Sequence, residues 1–240
     1  MSGTIKTHIT GKKQDEVTSM FNTIAPKYDR LNRILSFRSD VRWRKKMVKM
    51  VKQYKPEHIL DLAAGTGDLS LALTRLNPGK IIAADPSAGM LAIAEKKFKR
   101  KKRNIEIALA TAENLPFDDK TFDLVTIAFG IRNFSKPETA LNEIHRVLKK
   151  DGILAILEFG LPEKGLFGKL YLWYFKKILP LLGRMISKHY SAYSYLPETV
   201  QSYPYGEEFS AFMKENNFEN LRIKKLNSGI AYIYLNRNNY

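Results

Sequence analysis

Short apolar runs alternate with amphipathic stretches along most of the chain. His58–Leu62, Lys80–Ala84, Ile105–Ala110, Phe122–Phe129 and Ile153–Phe159 read as buried strands. Between them, Asp68–Leu76, Ala88–Phe98 and Lys136–Leu148 carry helical spacing. Strand and helix in alternation predict an α/β fold with a doubly wound, mostly parallel sheet. Leu221–Leu226 and Ile230–Leu235 flank Asn227-Ser228-Gly229, which predicts a C-terminal antiparallel hairpin. At the other end, residues 13–24 place Val17, Met20, Phe21 and Ile24 on one helical face, and Ala25-Pro26 is expected to end that helix. A second, basic helix spans Asp40 to Tyr54, with Trp43, Met47, Val51 and Tyr54 on its apolar side and Pro56 closing it. Residues 1–240 thus read as one domain, with N-terminal helices over 13–54 and a lid or membrane-facing insertion near 165–205.

Composition narrows the classes. Hydrophobic residues at 44% and charged ones at 27% are globular values, which disfavours disorder and coiled coil. There is no cysteine, which excludes disulfide scaffolds, Cys-ligated zinc and a cysteine nucleophile. No His, Asp and Glu grouping has metal-ligand spacing, so no metal is expected. The first residues lack an apolar run of the signal-peptide kind, so the expected location is cytoplasmic.

Charge adds a partner question. Lys and Arg number 40 against 24 Asp and Glu, a formal charge of +16. Such a surface attracts nucleic acid and anionic lipid alike. Residues 166–186 sharpen the second option: Leu166, Leu170, Trp173, Tyr174, Ile178, Leu181 and Met185 form an apolar stripe, with Lys169, Lys176, Lys177 and Arg184 off it. Those cations and Pro180 argue against a membrane span and for an interfacial or lid helix. A plain core helix fits the pattern equally well.

The candidate chemistry begins where the first strand runs into Asp61-Leu-Ala-Ala-Gly65-Thr66-Gly67-Asp68. Glycines at a strand-to-helix turn let a ligand approach the backbone at the carboxyl edge of the sheet. The second strand ends in Asp85, where a carboxylate binds a ribose diol. A dinucleotide fingerprint is incomplete, because Ser70 stands at the third glycine. Asp68 at the helix start is expected to repel a pyrophosphate and to tolerate a cationic ligand. S-adenosylmethionine (SAM), with ammonium and sulfonium charges and no phosphate, meets those terms. Ala110-Thr111-Ala112-Glu113 follows the third strand, where a polar residue reaches an adenine amino group and small ones admit the ring. Ala128-Phe129-Gly130-Ile131-Arg132-Asn133 follows the fourth, placing polar groups on the same edge.

These residues resemble a known family, the SAM-dependent C-methyltransferases of ubiquinone and menaquinone biosynthesis. The resemblance runs from Met20 to Tyr234. It includes MFNTIAPKYDRLNRILS at 20–36, DLAAGTGDLS at 61–70, DPSAGML at 85–91, AENLPF at 112–117, TIAFGIRNF at 126–134, YLPETV at 195–200 and LNSGIAYIY at 226–234. It implies the Rossmann-like class I methyltransferase fold and SAM contacts at Thr66, Asp85, Thr111 and Ala112; beside them Asp61, Gly65 and Gly67 of the glycine turn are expected to bind the cofactor as well. The family often has Asn or Asp at Thr111, Ser at Ala128 and Gly at Arg38. It further implies methylation of a ring carbon of a lipid-soluble polyprenyl quinol: demethylmenaquinol first, or a 2-methoxy-6-polyprenyl-1,4-benzoquinol as the alternative. Arg132 and Asn133 are the catalytic candidates, a fixed cation and an amide that orient the acceptor hydroxyl or a water, with Tyr28 capping the cleft. Arg is no base at neutral pH. His145 reads as structural and His189 as a weak candidate base.

A nucleic-acid methyltransferase is the alternative of another class. It would use the charge and the Lys96–Arg103 run, but AFGIRN lacks the Pro-Pro-aromatic loop of many such enzymes. An NAD-dependent oxidoreductase is disfavoured by Ser70 and Asp68. A membrane-binding module without catalysis leaves GIRNF unexplained. The expected setting is the cytoplasm, with peripheral contact at an anionic inner membrane face; nothing in the sequence sets the oligomeric state.

Overall fold

The computed structural model describes residues 14–163 and 199–239, together with Gly165, Gly168, Tyr171, Trp173, Tyr174 and Pro197. Most of the 166–186 stripe, and His189, lie outside the described residues.

Seven strands form one sheet: β1 (His58–Leu62), β2 (Lys80–Asp85), β3 (Glu106–Leu109), β4 (Phe122–Ala128), β5 (Leu148–Phe159), β6 (Phe218–Leu226) and β7 (Ala231–Asn238). Their order is β3-β2-β1-β4-β5-β7-β6. The first five run parallel, and β7 pairs antiparallel with both β5 and β6. The expected hairpin is therefore present, although β7 enters the sheet between β5 and β6. β5 starts five residues before the expected Ile153, paired as Phe122 to Leu148 ahead of a register shift.

Side chains alternate between two apolar layers, as the period of a strand requires. Leu60, Val125, Leu154, Ile156 and Tyr234 face one core, with α5 (Pro137–Val147) and α6 (Glu207–Glu215) packed on it. Ile59, Leu124, Ala155, Leu157 and Ile233 face the other, under α2 (Ser39–Val51), α3 (Asp68–Leu73) and α4 (Ala88–Arg100). With both faces covered, the central strands need apolar residues at nearly every position, which is why they are legible as continuous runs. β3, also expected to be buried, lies at the sheet edge and is largely exposed.

The first helix departs from expectation. α1 spans Gln14–Leu35 and carries Pro26 in its interior, so Ala25-Pro26 does not end it. An interior proline costs about 3 kcal/mol. Its exposed ring is tolerated because Ile24, Ala25, Leu31 and Leu35, on both sides of it, are buried against Met90 and Val200. Burial of that stripe outweighs the lost hydrogen bond. After α1 the chain turns through Phe37 and Arg38, both left-handed (φ 49° and 61°), into α2.

A left-handed residue with a Cβ is strained by about 1–2 kcal/mol, part of which glycine recovers. Arg38→Gly is therefore expected to stabilise the fold by about 0.5–1 kcal/mol, read as an upward shift of the urea midpoint at unchanged slope.

Candidate active site

The strand order reverses between β1 and β4, and a ligand crevice forms at the carboxyl ends of strands at such a point. A cleft opens there. Its floor is the β1 turn (Leu62, Ala63, Gly65), the end of β2 (Asp85, Pro86, Ser87), Ala112-Glu113, and Ala128–Gly130 with Asn133. Val17, Thr18, Phe21 and Tyr28 of α1 line its roof.

The roof is held by polar clamps. The Asn22 side-chain oxygen accepts from Ser87 Oγ at 2.7 Å and from Gly89 N at 2.9 Å. Asp29 accepts from Thr66 Oγ1 at 2.5 Å and pairs with Lys97. The α1 roof is invisible as a site element in the sequence, apart from Tyr28, because its cleft-lining residues belong to one amphipathic face.

Asp85 is the acid at the heart of the cleft. Its Oδ2 accepts from Gly65 N and its Oδ1 from Ser87 N, each at 2.8 Å. Burial pushes its carboxyl up to about 6 despite those two donors. Gly65 takes φ +55°, and a Cβ there would meet nothing within 4 Å, so its backbone borders open space where a ligand can lie against it. Gly67 serves packing instead. At φ +77°, a Cβ would stand 2.5 Å from the Phe98 ring, so this glycine lets the turn pack on α4.

Asp61 lies beneath the cleft rather than in its lining. It is almost fully buried, with Oδ1 accepting from Thr126 Oγ1 at 2.8 Å and Oδ2 from Ser70 Oγ at 2.5 Å. Burial raises its carboxyl to about 6. Ser70, which stands against a dinucleotide fingerprint, is thus a partner of the loop acid.

Other expected site residues divide. Ala112 and Asn133 line the cleft; Thr66 turns to Asp29, and Thr111 forms a bridge with Asn114. Asp68 requires a correction. Its carboxylate is paired with Lys97 at 2.9 Å and with Arg33. Burial opposes its ionisation, yet Lys97, Arg44 and Arg33 together hold it below the usual carboxylate range. Its charge is consumed within the protein, so it does not repel phosphate from the cleft.

Arg132 sits in a three-residue turn of helix (Ile131–Asn133) and is buried behind the lining. Nη1 donates to Phe129 O and to Glu158 Oε1, both at 2.7 Å. Among the described residues its Nε has no hydrogen-bond partner, and neither do the buried Glu158 Oε2 and Tyr203 Oη. Burial pushes Glu158 up, against the pull of Arg132. Glu158 falls in LEFGLPE at 157–163, a segment of the family resemblance, but is not among the candidate site residues read from the sequence. The signal is nonetheless there: one acid inside the apolar run Ile153–Phe159 demands a buried partner. His145, in α5, packs edge-on against Phe218 at the start of β6 and does not line the cleft.

Among the described residues no three or more His, Asp or Glu gather as metal ligands, and no helix is long and apolar enough to cross a membrane. The sheet order, the crevice at its reversal, the glycine turn and the acid ending β2 define a class I SAM-dependent methyltransferase. Solved structures share this architecture. A SAM-dependent methyltransferase of Thermotoga maritima superposes with TM-score 0.61 at 21% identity, over 92% of this chain and 98% of that one. One from Clostridium acetobutylicum gives 0.63 at 13% identity, over 90% and 99%. The chain belongs to the ubiE/COQ5 methyltransferase family, whose model matches residues 9–237. It is 46% identical over 217 residues to the demethylmenaquinone methyltransferase of Thermus thermophilus, covering 90% of this chain and 98% of that one. It is 42% identical over 228 residues to the ubiquinone/menaquinone biosynthesis C-methyltransferase of Geotalea uraniireducens, covering 93% and 97%.

The buried acids bear on stability. Asp61 has a folded pKa raised above its ordinary value, so the protonated form favours the fold, and stability is lost as pH rises from about 4 through 6. Two units correspond to on the order of 2–3 kcal/mol at neutral pH. Asp61→Asn keeps an acceptor for Thr126 and removes the charge. It should raise the urea unfolding free energy at pH 8 by about 1–3 kcal/mol and flatten the profile between pH 4 and 6.

Proposed function

We propose that this protein transfers the methyl group of SAM to a ring carbon of demethylmenaquinol. The supporting observation is the cleft itself: Gly65 and Asp85 on one side and Asn133 on the other, with the Arg132–Glu158 pair buried behind that wall and Val17, Phe21 and Tyr28 overhead. The names of the relatives favour a polyprenyl quinol as acceptor, and such a lipid places the working enzyme at a membrane surface.

Asp85 would accept hydrogen bonds from the ribose diol, the Gly65 backbone would lie against the amino-acid portion, and Ala112 would leave room for the adenine. SAM, when bound, supplies an electrophilic methyl on a sulfonium. What remains for the protein is to make the acceptor carbon nucleophilic, which ionisation of the neighbouring hydroxyl achieves, its proton passing to water; once the carbon has taken the methyl, its own ring proton is lost to water and the ring is aromatic again. Asn133 orients that hydroxyl from the cleft wall. Arg132, pinned by Glu158 and Phe129 O behind the wall, fixes the short turn that carries Asn133 and so the polar groups that the ionised oxygen meets. Phe21, Tyr28 and Phe129 exclude water from the reacting atoms. Turnover with labelled SAM and reduced demethylmenaquinol is the direct test. Transfer only to the methoxy-benzoquinol, or only to nucleic acid, would overturn the reading.

Asp85→Ala should weaken SAM binding by about 1.5–3 kcal/mol, the worth of charge-assisted hydrogen bonds. Because only the ionised carboxylate accepts both hydroxyls, wild-type affinity should rise with pH through about 6. Calorimetry across that range should find the rise absent in Asp85→Asn.

Arg132→Ala strands the buried Glu158 charge and should cost about 3–5 kcal/mol of stability. The paired replacement Arg132→Met with Glu158→Gln should recover most of that loss. Turnover should still fall by about 10²–10³, with SAM affinity retained. Recovery of stability and turnover together would show a structural role alone.

A further inference from the structure

Five large hydrophobic side chains are exposed among the described residues: Ile34, Phe37, Ile107, Leu109 and Trp173. Ile107 and Leu109 belong to the edge strand β3. The other three belong to one corner of the molecule. Ile34 and Phe37 sit where α1 ends, at 42% and 74% exposure. The Phe37 ring lies 5.9 Å from that of Tyr174, whose hydroxyl donates to Leu35 O at 3.0 Å. Trp173, the residue before Tyr174, is 57% exposed. Phe37 is the most exposed of the five and is held in a left-handed conformation, which a large side chain adopts at a cost. The fold strains its backbone to place a phenyl ring in solvent.

The surroundings select the occupant. Arg30, Arg38, Arg42 and Lys45 are charged residues on the adjoining turns of α1 and α2, none of them buried. No ion pair among the described residues engages any of the four. The nearby acids are spoken for: Asp40 by Arg33 and Arg44, Asp29 and Asp68 by Lys97. An apolar tip with an aromatic at its centre and uncompensated cations around it matches a bilayer interface, where rings reach the acyl boundary and cations meet anionic headgroups. A protein partner would bury those cations without compensation unless it were acidic there. The chain's net +16 acts in the same sense.

We infer that the α1–α2 corner, with Ile34, Phe37 and Trp173 as inserting side chains and Arg30, Arg38, Arg42 and Lys45 as the cationic rim, docks this enzyme on an anionic lipid surface. The inference rests on the lipid-quinol reading for its purpose, although its physical basis is independent of it. Apart from Trp173, which belongs to the 166–186 stripe, it locates membrane contact on residues that the sequence assigns to two ordinary helices and a turn. The same helix that ends in this corner lines the cleft with Val17, Thr18, Phe21 and Tyr28. Thr18 to Leu35 spans about 25 Å at 1.5 Å per residue. One continuous helix thus links the lipid surface to the roof of the site, and a lipid acceptor would enter beside it.

The test uses full-length protein and vesicles of phosphatidylglycerol mixed with phosphatidylcholine, against phosphatidylcholine alone. Wild type should sediment with the anionic vesicles at low salt, release as salt rises, and show brominated-lipid quenching of tryptophan fluorescence that Trp173→Phe abolishes. Ile34→Gln with Phe37→Asn suits both backbones, since asparagine accepts the left-handed region. This variant should lose at least tenfold in vesicle affinity while keeping SAM affinity and thermal stability. Its turnover on vesicle-embedded quinol should fall, with turnover on a short-chain, water-soluble quinol unchanged. Arg38→Glu with Arg42→Glu should remove the preference for anionic over neutral vesicles. Vesicle affinity undiminished in the Ile34/Phe37 variant, or equal wild-type binding to both vesicle types, would overturn the inference. Wild type that binds vesicles but methylates neither quinol would overturn the functional reading and leave the docking surface standing.

Discussion

Everything in the cleft depends on one buried carboxylate. Asp61, near the end of its strand, lies between a hydroxyl of β4 and a hydroxyl at the start of α3, and accepts from both. It thereby joins the two strands that flank the sheet's reversal to the helix that follows the glycine turn. The turn cannot shift without breaking one of those bonds in a buried layer, where an unmet carboxylate oxygen is costly. The turn's position sets where Gly65 N meets Asp85, so the second acid is aimed by the first. Together the two interactions set the shape of the cleft floor.

The chain's charge is distributed by the same logic. Inside and under the roof, cations are matched: Arg132 with Glu158, Arg44 with Asp40, Lys97 with Asp29 and Asp68. These acids are drawn inwards, and the excess of Lys and Arg is left on the surface. Buried pairs of this kind contribute little net stability, because desolvation offsets their attraction, but they hold geometry. Their consequence outside is a protein whose exposed field is strongly positive, which favours contact with anionic surfaces at low ionic strength.

α1 connects these themes. Its apolar stripe persists through Pro26 because the helix is stabilised by what it covers, not by its own propensity. Asn22 and Asp29, two polar residues on an otherwise amphipathic helix, tie it to the N-terminal end of α4 and to the glycine turn. Sequence patterning sees only the amphipathic face, which is the same for a helix that covers a core and one that roofs a site.

The strands are legible from the sequence because a doubly covered parallel sheet demands apolar residues on both faces, and that demand is local. The glycine turn and Asp85 are legible for a similar reason: a strand-to-helix turn against a ligand needs particular residue types at particular offsets. What the tertiary structure alone decides is which polar groups meet. Asp68 reads in the sequence as facing a ligand, yet Arg33 and Lys97, far from it along the chain, neutralise it. Thr66 reads as a ligand contact, yet it turns to Asp29. Glu158 is not among the candidate site residues read from the sequence, and its partner Arg132 lies 26 residues away on another segment. A local pattern records burial, because burial repeats with the period of the element. It does not record pairing between distant charges, which depends on how the elements are brought together.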